Sequence, residues 1–231
     1  TDATGFYWTA VYNKLESYGM EIGVDNPSHF RNVAARKTDI NDAQWLHQLL
    51  SYGLLRNSHI APEPNRELRR YLHERDIYKK QKSDTLNRIQ RNLTLMNIKV
   101  QHLISDIEGV AGMKLIEAIC DGITDPEILL EIIYSKRLKA SPEDLLSALK
   151  GDYHQQYINI LSQTLKTYNF LVEQMVAYET YIEEILQKML AYNPTPIAKK
   201  EGLVRKNQYS INLKGYLLAL FETDLTEVEG L

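Results

Sequence analysis

The sequence predicts a mostly α-helical protein in which a short, partly α/β segment precedes a long antiparallel coiled-coil hairpin with a small helical cap. Two long stretches, residues 65–107 and 154–192, contain neither Pro nor Gly. In both stretches apolar residues recur at alternating steps of three and four, a spacing typical of helices that pair along one face. Shorter segments bounded by Gly and Pro separate the two stretches and predict the cap.

The first 36 residues carry the strand-like pattern of the chain. Residues 7–18 have helical spacing, and Gly19 ends that predicted helix. The short apolar run 20–24 is closed by Asp25-Asn26-Pro27, which predicts one buried strand and a turn. Residues 28–35 predict a short helix.

A helix that begins after Thr38 and ends at Gly53 carries the candidate carboxylates. Thr is a favoured N-cap, and Asp39 suits the positive end of a helix. Asp39 and Asp42 are three residues apart, so both project from one side, at the edge of the apolar stripe that continues through Leu46. Two close carboxylates repel each other and lose hydration, and a bound Mg²⁺ or Mn²⁺ would relieve both penalties. The same spacing is also typical of simple capping, so spacing alone leaves both interpretations open.

The two heptad helices predict an arm of roughly 55–60 Å if they pair with each other. The stripe of the first helix comprises Leu86, Ile89, Leu93, Met96, Val100, Leu103 and Ile107. The stripe of the second comprises Ile158, Leu161, Leu165, Tyr168, Val172 and Met175, followed by Ile182, Ile185 and Met189. The pattern is equally compatible with each helix pairing with another copy of the chain.

Charge is unevenly distributed along a chain whose net charge is -3. Between Arg66 and Lys99 there are ten Lys or Arg residues against four Asp or Glu. Such a basic stretch predicts a surface for polyanions, although a solvated helix face with acidic partners is the alternative. With the two basic residues that precede Asp39, the candidate nucleic-acid-binding residues are Arg36, Lys37, Arg66, Arg69, Arg70, Arg75, Lys79, Lys80, Lys82, Arg88 and Arg91.

Other features narrow the class of protein. The single cysteine, Cys120, lies in an apolar helical pattern, which predicts a buried small side chain and fits a reducing cytoplasm. No apolar run is long enough to cross a bilayer, and the start of the sequence does not resemble a signal peptide. The sequence has no initiator Met, so we expect it to begin partway through a longer protein.

The order of the motifs closely resembles that of the DEDD transposases of bacterial insertion sequences, also known as bridge-RNA-guided recombinases. The motifs are Asp2-Ala3-Thr4-Gly5-Phe6-Tyr7-Trp8, Asn26-Pro27, Arg36-Lys37-Thr38-Asp39-Ile40-Asn41-Asp42-Ala43, Gly53-Leu54-Leu55, Leu68-Arg69, Asn87-Arg88-Ile89, Asn97-Ile98-Lys99, Ser105-Asp106-Ile107-Glu108-Gly109, Ala118-Ile119-Cys120-Asp121-Gly122 and Asp224-Leu225-Thr226-Glu227-Val228-Glu229-Gly230.

The resemblance implies a RuvC-like, RNase H-type domain with four metal-binding acids, a coiled-coil region that assembles oligomers, and a C-terminal domain with a serine nucleophile. It implies partners as well: DNA, a structured guide RNA and further copies of the chain. On this basis residues 1–60 are the last part of the RuvC-like domain, and residues 61–195 are the arm, with its tip at about 108–150. Residues 196–231 are a linker and the start of the C-terminal domain.

Carried over residue by residue, the resemblance makes Asp39, Asp42 and Asp2 the catalytic metal ligands. The family has Glu where this chain has the shorter Asp2. The first Asp of the family tetrad and the serine nucleophile have no counterpart, and Ser210 does not match the serine motif. We therefore expect a cytoplasmic DNA recombinase whose metal is Mg²⁺ or Mn²⁺ in the complete enzyme, and expect this part of it to be inactive alone. The alternative is a non-enzymatic helical module for oligomerisation or nucleic-acid binding.

Overall fold

The computed structural model describes residues 7–24, 39–55, 58–104, 106–135, 140–190 and 208–223, with the backbone alone for residues 39–42. Within these ranges there is no strand, and the predicted mostly helical class is confirmed. The helices are α1 (Tyr7–Glu16), α2 (Asp39–Ser51), α3 (Glu63–Leu95), α4 (Val110–Cys120), α5 (Pro126–Ile133), α6 (Pro142–Leu149), α7 (Gln155–Leu190) and α8 (Leu213–Phe221), with a 3₁₀ turn at Val100–His102. None of these helices has the length and apolar character that crossing a membrane requires.

The chain divides into two compact units, Thr1–Glu63 and Pro64–Leu231. In the first unit, Gly19 and Gly53 follow the ends of α1 and α2 with φ of 72° and 67°, which a residue without Cβ adopts easily. Both glycines were predicted to end these helices, and both predictions are confirmed. The predicted short helix at 28–35 and its neighbour Thr38 lie outside the described residues.

The prediction of a strand at residues 20–24 is wrong, because these residues are irregular in structure. Val24 is nonetheless buried, and its carbonyl accepts a hydrogen bond from the backbone N–H of Ser58 at 2.7 Å. The apolar run therefore indicates burial and not a strand. A strand requires a neighbouring strand to pair with, and the described part of the chain contains none. The RuvC-like sheet implied by the resemblance is thus not seen in these ranges.

In the second unit, α3 and α7 lie side by side and run antiparallel. Near the start of α3, Tyr71 contacts Tyr181, with 5.4 Å between ring centroids. At the other end, the backbone N–H of Asp152, just before α7, donates to the carbonyl of Met96 at 2.7 Å. Residues thus pair in opposite order along the two helices, which agrees with the predicted hairpin.

The predicted heptad stripes form the interior of this pair. The buried members from both stripes are Leu86, Ile89, Leu93, Met96, Val100, Ile107, Ile158, Leu161, Leu165, Tyr168, Met175, Ile182 and Ile185. Burial of such side chains removes apolar surface from water and contributes about 25 cal/mol per Å². The stripes therefore identify the face by which each helix packs.

The first long helix ends twelve residues before Ile107, so the prediction of one continuous helix to that residue is wrong. Asn97 adopts a left-handed conformation with φ of 56°. The N–H of Ile98 then donates to the carbonyl of Leu93, and the N–H of Asn97 to that of Thr94, both at 2.9 Å. This pair of bonds is the Schellman motif, in which Asn is the commonest residue after Gly. The apolar spacing continues past Asn97 and conceals the break.

The cap consists of α4, α5 and α6, whose helix starts follow the predicted chemistry. Ser141 is the N-cap of α6, with its hydroxyl accepting from the N–H of Asp144 at 3.1 Å and Pro142 in the first turn. Gly151, after α6, lies so close to α3 that a Cβ there would stand 2.5 Å from the carbonyl oxygen of Met96. The end of the hairpin thus depends on a glycine at this position.

Candidate nucleic-acid interface and carboxylate site

The candidate carboxylates occupy the start of α2. Asp39 is the first residue of the helix and Asp42 the fourth, so their Cα positions lie on one side of its first turn. Their side chains, and all of Asp2, lie outside what the structure describes. Among the described side chains, no group of three or more His, Cys, Asp or Glu could hold a metal ion. The metal prediction therefore remains a prediction.

The outward side of α3 carries a row of basic side chains. At 100° per residue, Arg69, Arg70, Lys80, Arg88 and Arg91 fall within an arc of about 100°, opposite the buried stripe of the helix. All five are exposed. None of them forms an ion pair within the described part of the chain. We call these five residues the basic face.

The basic face has a length suited to a polyanion. From its first to its last residue it extends about 33 Å, close to one turn of duplex DNA. Two of the other candidates, Arg66 and Lys79, are half-buried. Two exposed acids, Asp84 within this arc and Asp76 at its edge, reduce the local positive charge. Arg36 and Lys37 lie outside the described residues.

Arg75 requires a correction, because it faces the interior and not a nucleic acid. Its side chain is 1% exposed and pairs with Glu179 of α7, with Nη2 and Nε at 2.6 Å and 2.7 Å from Oε1. The ring of Tyr209 lies 3.7 Å from the guanidinium carbon, and the other oxygen of Glu179 accepts from the N–H and hydroxyl of Ser210. The heptad spacing places Arg75 on the buried side of α3, and its positive charge is balanced there.

The same cluster also includes residues 208–210, which begin the described part of the chain after α7. Residues 208–210 pack against the Arg75–Glu179 pair, and the carbonyl of Gln208 accepts from Arg75 Nη2 at 3.5 Å. Beyond them, Ile211 and Tyr216 are buried against α7, and the Tyr216 hydroxyl donates to Glu183 at 2.9 Å. This segment is therefore a docked part of the second unit.

Lys82 is a second basic residue that faces inward. It is 6% exposed, and its Nζ lies 2.5 Å from Oε1 of Glu108, which also accepts from the Tyr168 hydroxyl at 2.7 Å. Burial and then this hydrogen bond raise the pKa of Tyr168 well above its ordinary value. The triad joins α3, the turn before α4, and α7. It is a structural cluster, so Lys82 is not available to a phosphate.

The tyrosines divide between core and surface. Tyr168 is buried, as predicted, whereas Tyr181 is exposed and Tyr178 half-buried. Tyr71, Tyr78, Tyr178 and Tyr181 form one group of ring contacts between α3 and α7, with centroids 5.4 to 6.1 Å apart. The spacing of seven on α3 and three on α7 could have indicated this group, because such residues share a helix face.

Cys120 behaves as predicted for a structural residue. It is partly buried at the end of α4, and burial, followed by the charges of Asp121 and Glu117, raises the pKa of its thiol to about 11. A raised pKa leaves little of the nucleophilic thiolate at neutral pH.

Comparison with known proteins finds a family match in the first part of the chain. Residues 1–98 match the family model DEDD_Tnp_IS110, whose description is Transposase. The resemblance that the motifs indicate is therefore confirmed over α1, α2 and α3, and a transposase role is supported. No curated protein and no solved structure matches the chain.

Proposed function

We propose that this chain is part of a transposase that cuts and rejoins DNA with divalent metal ions and a structured guide RNA, and that its hairpin holds nucleic acid along the basic face. The family match over residues 1–98 supports the reaction class. The role of the hairpin rests on how positive charges are distributed around α3. Its balanced cations, Arg75 and Lys82, are buried, while five cations without an ion pair in the described chain face outward.

The basic face acts through phosphate contacts. Each contact releases condensed counterions, so the logarithm of the affinity for duplex DNA falls with the logarithm of the salt concentration by about 0.9 per contact. Five contacts would give a slope of about -4.5. Contacts to phosphates do not discriminate between base sequences. In this proposal the guide RNA selects the DNA sequence.

The proposed metal ligands are Asp39, Asp42 and Asp2. Asp39 and Asp42 share one side of the first turn of α2, which is compatible with two ligands of one divalent ion. Carboxylate oxygens are the ligands that Mg²⁺ and Mn²⁺ prefer. When bound, such ions stabilise the charge that develops on the attacking and leaving oxygens of a phosphodiester.

Binding measurements test the hairpin. Fluorescence anisotropy of labelled duplex DNA and of an RNA hairpin, titrated with the chain across a salt series, gives the slope. Replacing Arg88 and Arg91 by Gln should lower the duplex slope by up to about 1.8. A matched control replaces Lys166 and Lys188, exposed on α7, by Gln, and should leave the slope unchanged. Equal losses in both variants would mean that net charge, and not the basic face, determines binding.

Manganese binding tests the carboxylates. We expect the chain to bind Mn²⁺ weakly in titrations followed by electron paramagnetic resonance, and we expect Asp39→Asn and Asp42→Asn each to abolish this binding. Asp152→Asn is the control, because Asp152 is an exposed carboxylate in the other unit. Unchanged binding in both α2 variants would refute the assignment and favour a capping role for these acids.

Self-association is a second candidate function, favoured by apolar exposure on α7. Phe170 and Tyr181 are 53% and 46% exposed and lie three turns apart on one side of the helix. We propose that this side contacts another copy of the chain. Sedimentation should show an oligomer that Phe170→Glu dissociates and that Asn169→Glu, an exposed control rotated about 100° around the helix, leaves intact. A monomeric wild-type chain would contradict this.

A further inference from the structure

The end of the hairpin contains a pocket that is separate from the basic face. It has a volume of about 490 Å³ and lies where the turn after α3 and the 3₁₀ turn meet α6. Its polar lining consists of Asn97, Lys99, His102, Asp144, Ser147 and Lys150. The volume lies within the range of 300 to 1,000 Å³ that is typical of small-ligand sites.

The two lysines that line this pocket lie on hydrogen-bonded backbone segments. Lys99 follows the Schellman turn at Asn97, and its N–H donates to the carbonyl of Ala148 at 3.2 Å. Lys150 is the C-cap of α6, with its N–H bonded to the carbonyl of Ser147 at 3.4 Å. Two ammonium groups on short, hydrogen-bonded segments are thus brought to one concave surface by the fold.

The charge of the pocket favours an anion. Lys99, Lys150 and His102 are all exposed, and within the described part of the chain neither lysine forms an ion pair. The acid of the lining, Asp144, accepts a hydrogen bond from the Ser141 hydroxyl at 2.8 Å, which occupies part of its carboxylate at the start of α6. Two lysines and one partly engaged carboxylate therefore line the pocket.

We propose that this pocket, which we call the tip pocket, binds a backbone phosphate of a nucleic acid. The inference rests on the proposed function, because the basic face ends at Arg91, one turn before α3 ends, and Lys99 follows directly beyond the helix. A strand held along α3 could thus continue to the hairpin end. This site differs from the basic face in that Lys99 and Lys150 line one pocket, which places both lysines at a single phosphate.

The experiment compares three variants of the full chain on the same labelled duplex DNA and single-stranded RNA. The tip variant is Lys99→Gln with Lys150→Gln, the arm variant is Arg88→Gln with Arg91→Gln, and the control is Lys166→Gln with Lys188→Gln. We expect the tip variant, which loses one phosphate contact, to lower the salt slope by about 0.9 on duplex and about 0.7 on single strands. Lysine acetylation, read by mass spectrometry, should slow several-fold at Lys99 and Lys150 when RNA is bound, and should not slow at Lys166.

The outcomes separate the tip pocket from the function on which it rests. The tip pocket would be refuted if the tip variant kept the wild-type salt slope and if Lys99 were acetylated at the same rate with and without RNA. If the arm variant still had a reduced slope in that case, the basic face would stand. A wild-type chain without affinity at low salt would overturn both. All variants change exposed side chains, and far-UV circular dichroism should show that the helices are unchanged.

Discussion

Removal of the Glu179 carboxylate should destabilise the second unit more than any exposed charge change. Glu179 is 3% exposed, accepts one hydrogen bond from Nε of Arg75, itself 1% exposed, forms an ion pair with Nη2 of the same residue, and accepts two hydrogen bonds from Ser210. In Glu179→Leu the guanidinium stays buried, and its remaining counter-charge is the exposed carboxylate of Asp76, 4.0 Å from Nη1. A broken buried pair of this kind costs about 3–5 kcal/mol. The ring of Tyr209 over Arg75 offsets a small part of this cost.

A double-mutant cycle separates the pair from the packing around it. Arg75→Met with Glu179→Leu removes both charges, so the penalty for an unpaired charge is absent. The remaining cost is the loss of partners for the Ser210 N–H and the Gln208 carbonyl, about 1–3 kcal/mol for each group that stays buried. We therefore expect the double variant to be less destabilised than the sum of the single variants, by about 3 kcal/mol.

Urea unfolding followed by circular dichroism measures these free energies of unfolding. The shift in the midpoint urea concentration gives the change in free energy, provided that the dependence of the free energy on urea concentration is the same in all variants. The control is Asp152→Asn, which removes an exposed pair with His154 whose side chains are 55% and 67% exposed. We expect this change to cost below about 1 kcal/mol. If Glu179→Leu costs no more than the control, or if the single costs simply add, the buried pair does not stabilise the hairpin as described.

Three further predictions concern the hairpin end and its neighbours. Gly151→Ala should destabilise by about 1–3 kcal/mol in the same unfolding assay, because its Cβ would stand 2.5 Å from the Met96 carbonyl oxygen; an unchanged midpoint would show that this contact relaxes freely. Tyr168→Phe should cost about 1.5–3 kcal/mol, since its hydroxyl donates to the charged Glu108, and a neutral result would contradict that bond. Alkylation of Cys120 by iodoacetamide should keep accelerating with pH up to about 11, because its raised pKa keeps the thiol protonated at lower pH; a plateau near the ordinary value of about 8.5 would contradict the burial.

The hairpin could be predicted from sequence because its signal is redundant. Ile89 on the first stripe, and Leu161 and Ile182 on the second, are each 0% exposed. A single misplaced residue does not change the period, so the buried face was correct along both helices. Local signals were also reliable where the chemistry is short-range, as at Ser141, where the hydroxyl caps α6.

The errors arose where a pattern has two physical causes. An apolar run at 20–24 is typical of a buried strand, but Val24 is buried in an irregular segment. Apolar spacing continues past Asn97, although the left-handed conformation of that residue ends the helix. Asn within a helical pattern was the available signal, but Asn is compatible with both outcomes.

Composition alone could not divide the cations of α3 into two kinds. Arg75 and Lys82 are seven residues apart, the repeat of the buried stripe, and the sequence already contained that information. Their partners, Glu179 and Glu108, are distant from them in sequence, and no sequence motif links the members of either pair. The ion pairs could therefore be identified only from the structure. The tip pocket was equally hidden, because Lys99 and Lys150 meet only after the chain has turned back.

The antiparallel course of α3 and α7 has a consequence for how this unit opens. Met96 and Asp152 are 56 residues apart (152 − 96), whereas Arg75 and Glu179 are 104 residues apart, and Arg75 and Gln208 are 133 apart. Closing a longer loop costs more chain entropy, so contacts form first at the cap and last at the far end. In hydrogen exchange we expect amides of 208–221 to lose protection first, followed by the start of α3. The cap, with its pocket, would then be the part of the molecule that persists longest.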